Sequence, residues 1–148
     1  MYNALSVAHY IVNYCNGHSQ GISNLKLQKI LYFVQAEFLV STPNHTPCFS
    51  DRIEAWDFGP VVPNVYHQYK IYGGAIIPTI PNDPFQQFYQ TIADDDKKRI
   101  NGIIQQTSNY TASQLVQITH NQSPWKSVYC QGLNNEITND SILRYFQE

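Results

Sequence analysis

Charge is scarce in this sequence. Asp, Glu, Lys and Arg make up 14% of the 148 residues, against roughly a quarter in an ordinary globular domain. The net charge is −2, and of the nine Lys and Arg only Lys97, Lys98 and Arg99 are adjacent. A domain that grips duplex DNA shows a basic face, because counterion release supplies much of that affinity. None is visible here, so nucleic-acid binding is disfavoured. Long apolar runs are missing too: none approaches the ~18–20 residues that cross a bilayer. The start, MYNALSVAHYIVNYC, has neither a basic n-region nor a cleavable apolar core, so no signal peptide is expected. Cysteine is limited to Cys15, Cys48 and Cys130, an odd number with no CxxC pair. These absences together predict a soluble protein of a reducing cytoplasm. In that setting the N-x-S/T sequons at Asn44, Asn109, Asn121 and Asn139 are chance matches in an Asn-rich chain.

Motifs that carry chemistry are equally thin. There is no GxxxxGK[ST] and no GxGxxG, so a phosphate cradle has no support. The histidines at 9, 18, 45, 67 and 120 are isolated from one another, with no HxxxH or CxxC spacing to hold a metal. A nucleophile–base pair would have to be Cys15 with His120 or Cys48 with His45. Cys15, however, falls on the apolar stripe of a helix, where a thiol is buried and inert, and Cys48 sits in a proline-containing loop with no orienting third group. No catalytic residue, cofactor or metal is therefore expected, and a small Cys/His hydrolase ranks last among the functions.

What the chain does have is amide and aromatic side chains: 13 Asn, 14 Gln, 11 Tyr, 7 Phe and 2 Trp. Most of the rings are expected in the core. Eleven tyrosines exceed what such a core easily holds, so an aromatic surface patch suited to a protein partner is expected as well. Leu5, Ala8, Ile11, Val12 and Cys15 predict a helix over about Ala4 to Asn16, stopped by Gly17. Asn24 reads as the cap of a second helix, LKLQKILYFVQAEFLV, whose stripe Leu27, Ile30, Leu31, Val34 and Phe38 marks it as central. Lys26, Lys29, Gln35 and Glu37 fall mainly outside that stripe. RIEAW (Arg52 to Trp56) alternates as a short extended segment. A third helix is expected from near Pro60, with Asp57 as its cap and Gly59–Pro60 as its starting turn, ending at Gly73–Gly74. GGAIIPTIPNDP reads as a connection with a brief extended piece at Ile76–Ile77. Further helices are expected from Asp94 to about Ser108, from Ser113 to His120 with a stop near Ser123–Pro124, and over SILRYF after Thr138 and Asn139. The reading is a mainly α, compact single-domain bundle over 1–148, with about five to six helices and a short extended or β segment around 52–57.

Three segments, KLQKILYFVQA (Lys26 to Ala36), IEAWDFGPVVPNVYHQYKIYG (Ile53 to Gly73) and LVQITHNQSPW (Leu115 to Trp125), together resemble the Panacea domain, the SocA-like antitoxin domain also seen in phage-associated proteins. The middle segment is the most specific. The pattern falls on Lys26, Leu27, Gln28, Lys29, Leu31, Tyr32 and Phe33, then on Ala55, Trp56, Gly59, Pro60, Val61 and Tyr66, then on Thr119, His120, Pro124 and Trp125. Phe58 stands where the family also has tyrosine, which keeps the ring and drops the hydroxyl. The resemblance implies a helical domain that neutralises a cognate protein toxin by direct, stoichiometric binding, the toxin being encoded by an adjacent gene. One family member instead delivers its toxin to a bacterial protease, so an adaptor or phage host-interaction role is the alternative. Many relatives add a DNA-binding module; none is expected here, where the domain is read over the whole of 1–148. The candidate partner-binding residues are Trp56, Asp57, Phe58, Pro60, Tyr66, His120 and Trp125. His120 also reads as a brace for its helix, and the two tryptophans as core or half-buried anchors.

Overall fold

The computed structural model describes residues 1–81, 83–85 and 87–147. Among them are seven α-helices: α1 (Ala4–Gly17), α2 (Asn24–Ser41), α3 (Pro63–Tyr69), α4 (Asp94–Thr107), α5 (Ala112–His120), α6 (Ser123–Lys126) and α7 (Asn139–Gln147). Strands β1 (Ile53–Trp56), β2 (Gly59–Val61) and β3 (Glu136–Ile137) form one antiparallel sheet in the order β2-β1-β3. The fold is mainly α with a small sheet, as the sequence predicts. No helix among the described residues is long and apolar enough to cross a membrane.

Helix α2 organises the rest, packing against α1, α4, α5, α7 and β2. Its apolar stripe is buried as expected, but so are Gln28, Lys29, Tyr32 and Gln35. Lys29 and Gln35 do not lie outside the packed surface as the stripe suggests. Lys26 and Glu37 stay partly exposed. Packing closes over Gln28, Lys29, Tyr32 and Gln35, so their polar groups must find partners inside. Each does, and each partner is a segment that needs fixing. Gln28 accepts from the Val62 N–H (2.9 Å), Lys29 donates to the Pro60 carbonyl (3.0 Å), and Tyr32 donates to Gln122 (2.7 Å). Gln35 accepts from the Cys48 and Phe49 N–H groups and donates to the Phe49 carbonyl. Gln35→Leu should therefore lower stability by about 3 kcal/mol in a urea melt, since it strands two buried donors and an acceptor.

The cap of α2 is Ser23, which accepts from the Lys26 N–H, rather than Asn24. Asn24 is buried and bridges the Tyr66 carbonyl and the Gln28 amide. The third helix likewise starts at Pro63, not Pro60, with Val62 in the cap position and no side-chain cap. Pro60 belongs to β2, and Asp57 and Phe58 form the two-residue turn of a β1–β2 hairpin in which Trp56 pairs with Gly59. Position Pro63 satisfies the first-turn preference of proline as well as Pro60 would. Residue 60 is taken instead by sheet pairing. The stop near Ser123–Pro124 opens the four-residue α6, with the proline in its first turn.

The connection after Gly73 contains Asn82, which lies outside the described residues. Ile76–Ile77 forms no strand, although Ile77 is buried and its N–H donates to the Ile22 carbonyl (3.0 Å). Polar residues of α1 strap this segment down: Asn13 bonds both the N–H and the carbonyl of Ile80, and Asn16 bonds the Ile77 carbonyl. Asp94, Asp95 and Asp96 occupy the first turn of α4 as predicted, and a Thr111–Gln114 capping box starts α5.

Candidate functional site: the hairpin turn and its aromatic mount

The β1–β2 turn is pegged to the α5–α6 corner by three donors. The Trp125 indole N–H donates to the Trp56 carbonyl (2.8 Å), and His120 Nε2 lies 3.0 Å from the Asp57 carbonyl. A carbonyl only accepts, so His120 carries its proton on Nε2 in this bond. The Tyr129 hydroxyl donates to the Asp57 carboxylate (2.5 Å), and this bond is the first cause raising the hydroxyl's pKa above the usual tyrosine value. The three donors also stack on one another, His120 on Trp125 at 4.0 Å and Trp125 on Tyr129 at 4.4 Å between ring centres. The stack fixes the rings, and the fixed rings hold a turn whose own two residues project outward. Tyr129 was not singled out by the sequence, though its four-residue spacing from Trp125 is the spacing of a helical neighbour.

On the other side, the Trp56 ring meets Tyr66 edge to face at 4.9 Å and gives its N–H to Glu54 (3.0 Å), which also pairs with Arg52. Beneath the turn Gly59 has φ +107°, a conformation open to glycine and strained for other residues. A Cβ there would lie 2.7 Å from Lys29 Cε and 2.8 Å from Thr119 Oγ1. Gly59 is thus the point where the hairpin backbone rests on the buried amine.

The seven candidate residues converge on this one place with different exposures. Asp57 and Phe58 are exposed, Phe58 by 66%; Trp56, Tyr66 and His120 are half-buried; Pro60 and Trp125 are buried. Beside the turn lies a cleft of about 500 Å³, walled by Leu25, Trp56, Phe58, Val61 and Tyr66, with Asp57 and Lys70 as its charged groups. That is the size and lining of a recognition cleft. A second hollow of about 630 Å³ is lined by Leu5, Ile80, Pro81, Phe85, Phe88 and Tyr89, of which Phe85 and Phe88 stand exposed.

The cysteine–histidine pairings do not form. Cys15 and Cys48 are buried, and burial pushes the Cys15 thiol up to about 11 and raises that of Cys48 further, the reverse of an activated nucleophile. His45 spends its Nδ1 on the Leu39 carbonyl and His120 its Nε2 on the turn.

The geometry puts all three sequence segments into one assembly: KLQKILYF beneath, AWDFGPV as the hairpin, THNQSPW as its mount. The family model for the SocA-like antitoxin Panacea domain matches residues 27–126, which take in the three segments apart from Lys26, while the Tyr129 peg lies beyond them. The chain belongs to this family. Antitoxin SocA of Caulobacter vibrioides (strain NA1000 / CB15N) is 32% identical over 130 residues, covering 83% of this chain and 68% of that relative. No solved structure matches the chain.

Proposed function

We propose that this protein is an antitoxin that neutralises a protein toxin by binding it stoichiometrically on the hairpin face, the toxin being the product of an adjacent gene. The observation that carries the reading is Phe58, an exposed ring on a turn immobilised by three side-chain donors and flanked by the 500 Å³ cleft. A large apolar ring carried on a fixed turn brings little backbone ordering cost on docking, which is the economy of an interface hot spot. Trp56, Asp57, Tyr66 and His120 surround it as contacts, while Pro60 and Trp125 act from below as supports.

The neighbouring gene should be toxic alone and tolerated when this chain is co-expressed; a harmless neighbour, or undiminished toxicity, defeats the antitoxin reading. In titration calorimetry, Phe58→Ala should weaken the complex by roughly 10- to 100-fold, the loss expected for an interface hot spot. Its melting temperature should stay unchanged, because the ring supports nothing beneath it. Phe88→Ala, which removes an equally exposed ring on the other hollow, should leave the affinity as it is. The reverse pattern would place the toxin on the hollow beside Phe88 and rule out the hairpin face.

A further inference from the structure

Lys29 is wholly buried, and no carboxylate lies within ion-pair distance of it among the described residues. Its one hydrogen bond goes to the Pro60 carbonyl in β2, and its Cε and Nζ fill the space a side chain at Gly59 would need. The amine therefore touches the hairpin at the two residues that follow its turn. We propose that Lys29 is a positioning residue that locks the hairpin in place as an uncharged amine, and that proton uptake by this amine releases the hairpin.

A buried ammonium has three donors to satisfy and this site offers one acceptor. The neutral amine has fewer donors and no charge to desolvate, so the closed hairpin favours it. Burial accordingly pushes the Lys29 pKa down from 10.5 to about 7. The folded value is the lower one, so closure is strongest above pH 10.5 and weakens as the pH falls, with the full loss reached near pH 7. Between those limits opening takes up one proton, and the opening constant changes about tenfold per pH unit.

Other titratable groups lie on the elements around Lys29. Glu54 and Asp57 of the hairpin are occupied by Arg52 and Tyr129, and His120 of α5 by the Asp57 carbonyl. His67 of α3 lies beside Trp56, while Tyr32 of α2, bonded to Gln122, is held above its usual range by burial. Ordinary carboxylate and imidazole values lie below pH 7 and tyrosines near 10. Thiols ordinarily titrate inside the window from pH 7.5 to 9, and the exposed Cys130 follows the Tyr129 peg, so it is the comparison with Lys29→Met that isolates the lysine.

The functional consequence rests on the hairpin face being the toxin site, but the lock can be tested without the toxin. The Trp125 indole N–H is bonded to the hairpin's Trp56 carbonyl, so its hydrogen exchange reports opening. After correction for intrinsic exchange, its protection should rise about tenfold per pH unit from 7.5 to 9 in the unmodified chain. It should stay flat in Lys29→Met, which keeps the length and removes the amine. NMR of the Lys29 side chain in the unmodified protein, which needs no variant to fold, should give a midpoint near 7. A midpoint near the ordinary ~10.4, a flat protection profile, or an unchanged slope in Lys29→Met would each overturn the proposal. Adding the adjacent gene's product should raise Trp125 protection at fixed pH. If it does not while the lysine behaves as described, the hairpin-face reading falls and the lock stands.

Discussion

Gly59→Val should cost on the order of 4 kcal/mol, from backbone strain and overpacking together. Circular dichroism during urea unfolding will show it as a large drop in midpoint, or as a chain that does not fold at all. A β-branched residue strained at φ +107° contributes one part of that cost. The other part is steric. The new Cβ would sit 2.7 Å from Lys29 Cε and 2.8 Å from Thr119 Oγ1. Lys29 is wholly buried and tied to Pro60, so its side chain cannot yield without giving up that bond inside the core. The hairpin would have to lift from α2, breaking the Lys29 bond and straining the three pegs to Asp57 and Trp56. Gly74 supplies the control. It is exposed, has no positive φ, and a Cβ there meets nothing within 4 Å. Gly74→Ala should therefore change stability by no more than about 0.5 kcal/mol. If the two variants melted alike, the close approach at Gly59 would not be what holds the hairpin.

Local signals carried most of the helices into the sequence reading. α1, α4, α5 and α7 have amphipathic spacing or end signals acting within a few residues, and these need no tertiary knowledge. The hairpin escaped because its second strand is only Gly59–Val61, too short for any alternation to show, and begins with the residues that most resemble a helix start. Two prolines, Pro60 and Pro63, satisfy the same local rule, and only the pairing of Glu54 with Val61 decides between them. The buried polar row of α2 escaped for a related reason. Polar spacing says which face differs from the stripe, not whether that face meets water. The strand Glu136–Ile137 has two residues and no period at all. For the site, the sequence named side chains that lie together around the turn, without their arrangement. The contacts that join Asp57 to His120 and Tyr129 span 63 and 72 residues, and no spacing rule reaches that far. Family resemblance pointed to the segments, and the structure showed that they are one object.

Trp125→Ala should remove about 3–5 kcal/mol of stability and abolish neutralisation at ordinary growth temperature. The range is that of a large aromatic deleted from a core, and Trp125 is in the buried cluster with 8% of its surface exposed. Its loss also takes the middle ring out of the His120–Trp125–Tyr129 stack and the N–H from the Trp56 carbonyl. His120 and Tyr129 would then face each other across a void, with nothing to fix the orientation in which they hold Asp57. Trp125→Phe separates the two contributions. It keeps a ring in the stack and drops the indole N–H, so it should cost closer to ~1 kcal/mol for the lost hydrogen bond, plus a smaller packing loss. If the hairpin face binds the toxin, the phenylalanine variant should still neutralise, with a faster dissociation rate because the turn is less firmly held. The alanine variant should fail even at low temperature, where it is folded, since its Phe58 is no longer presented in one place. Full neutralisation by folded Trp125→Ala would mean that the toxin does not depend on the mounted turn, and the interface would have to be sought elsewhere on the molecule.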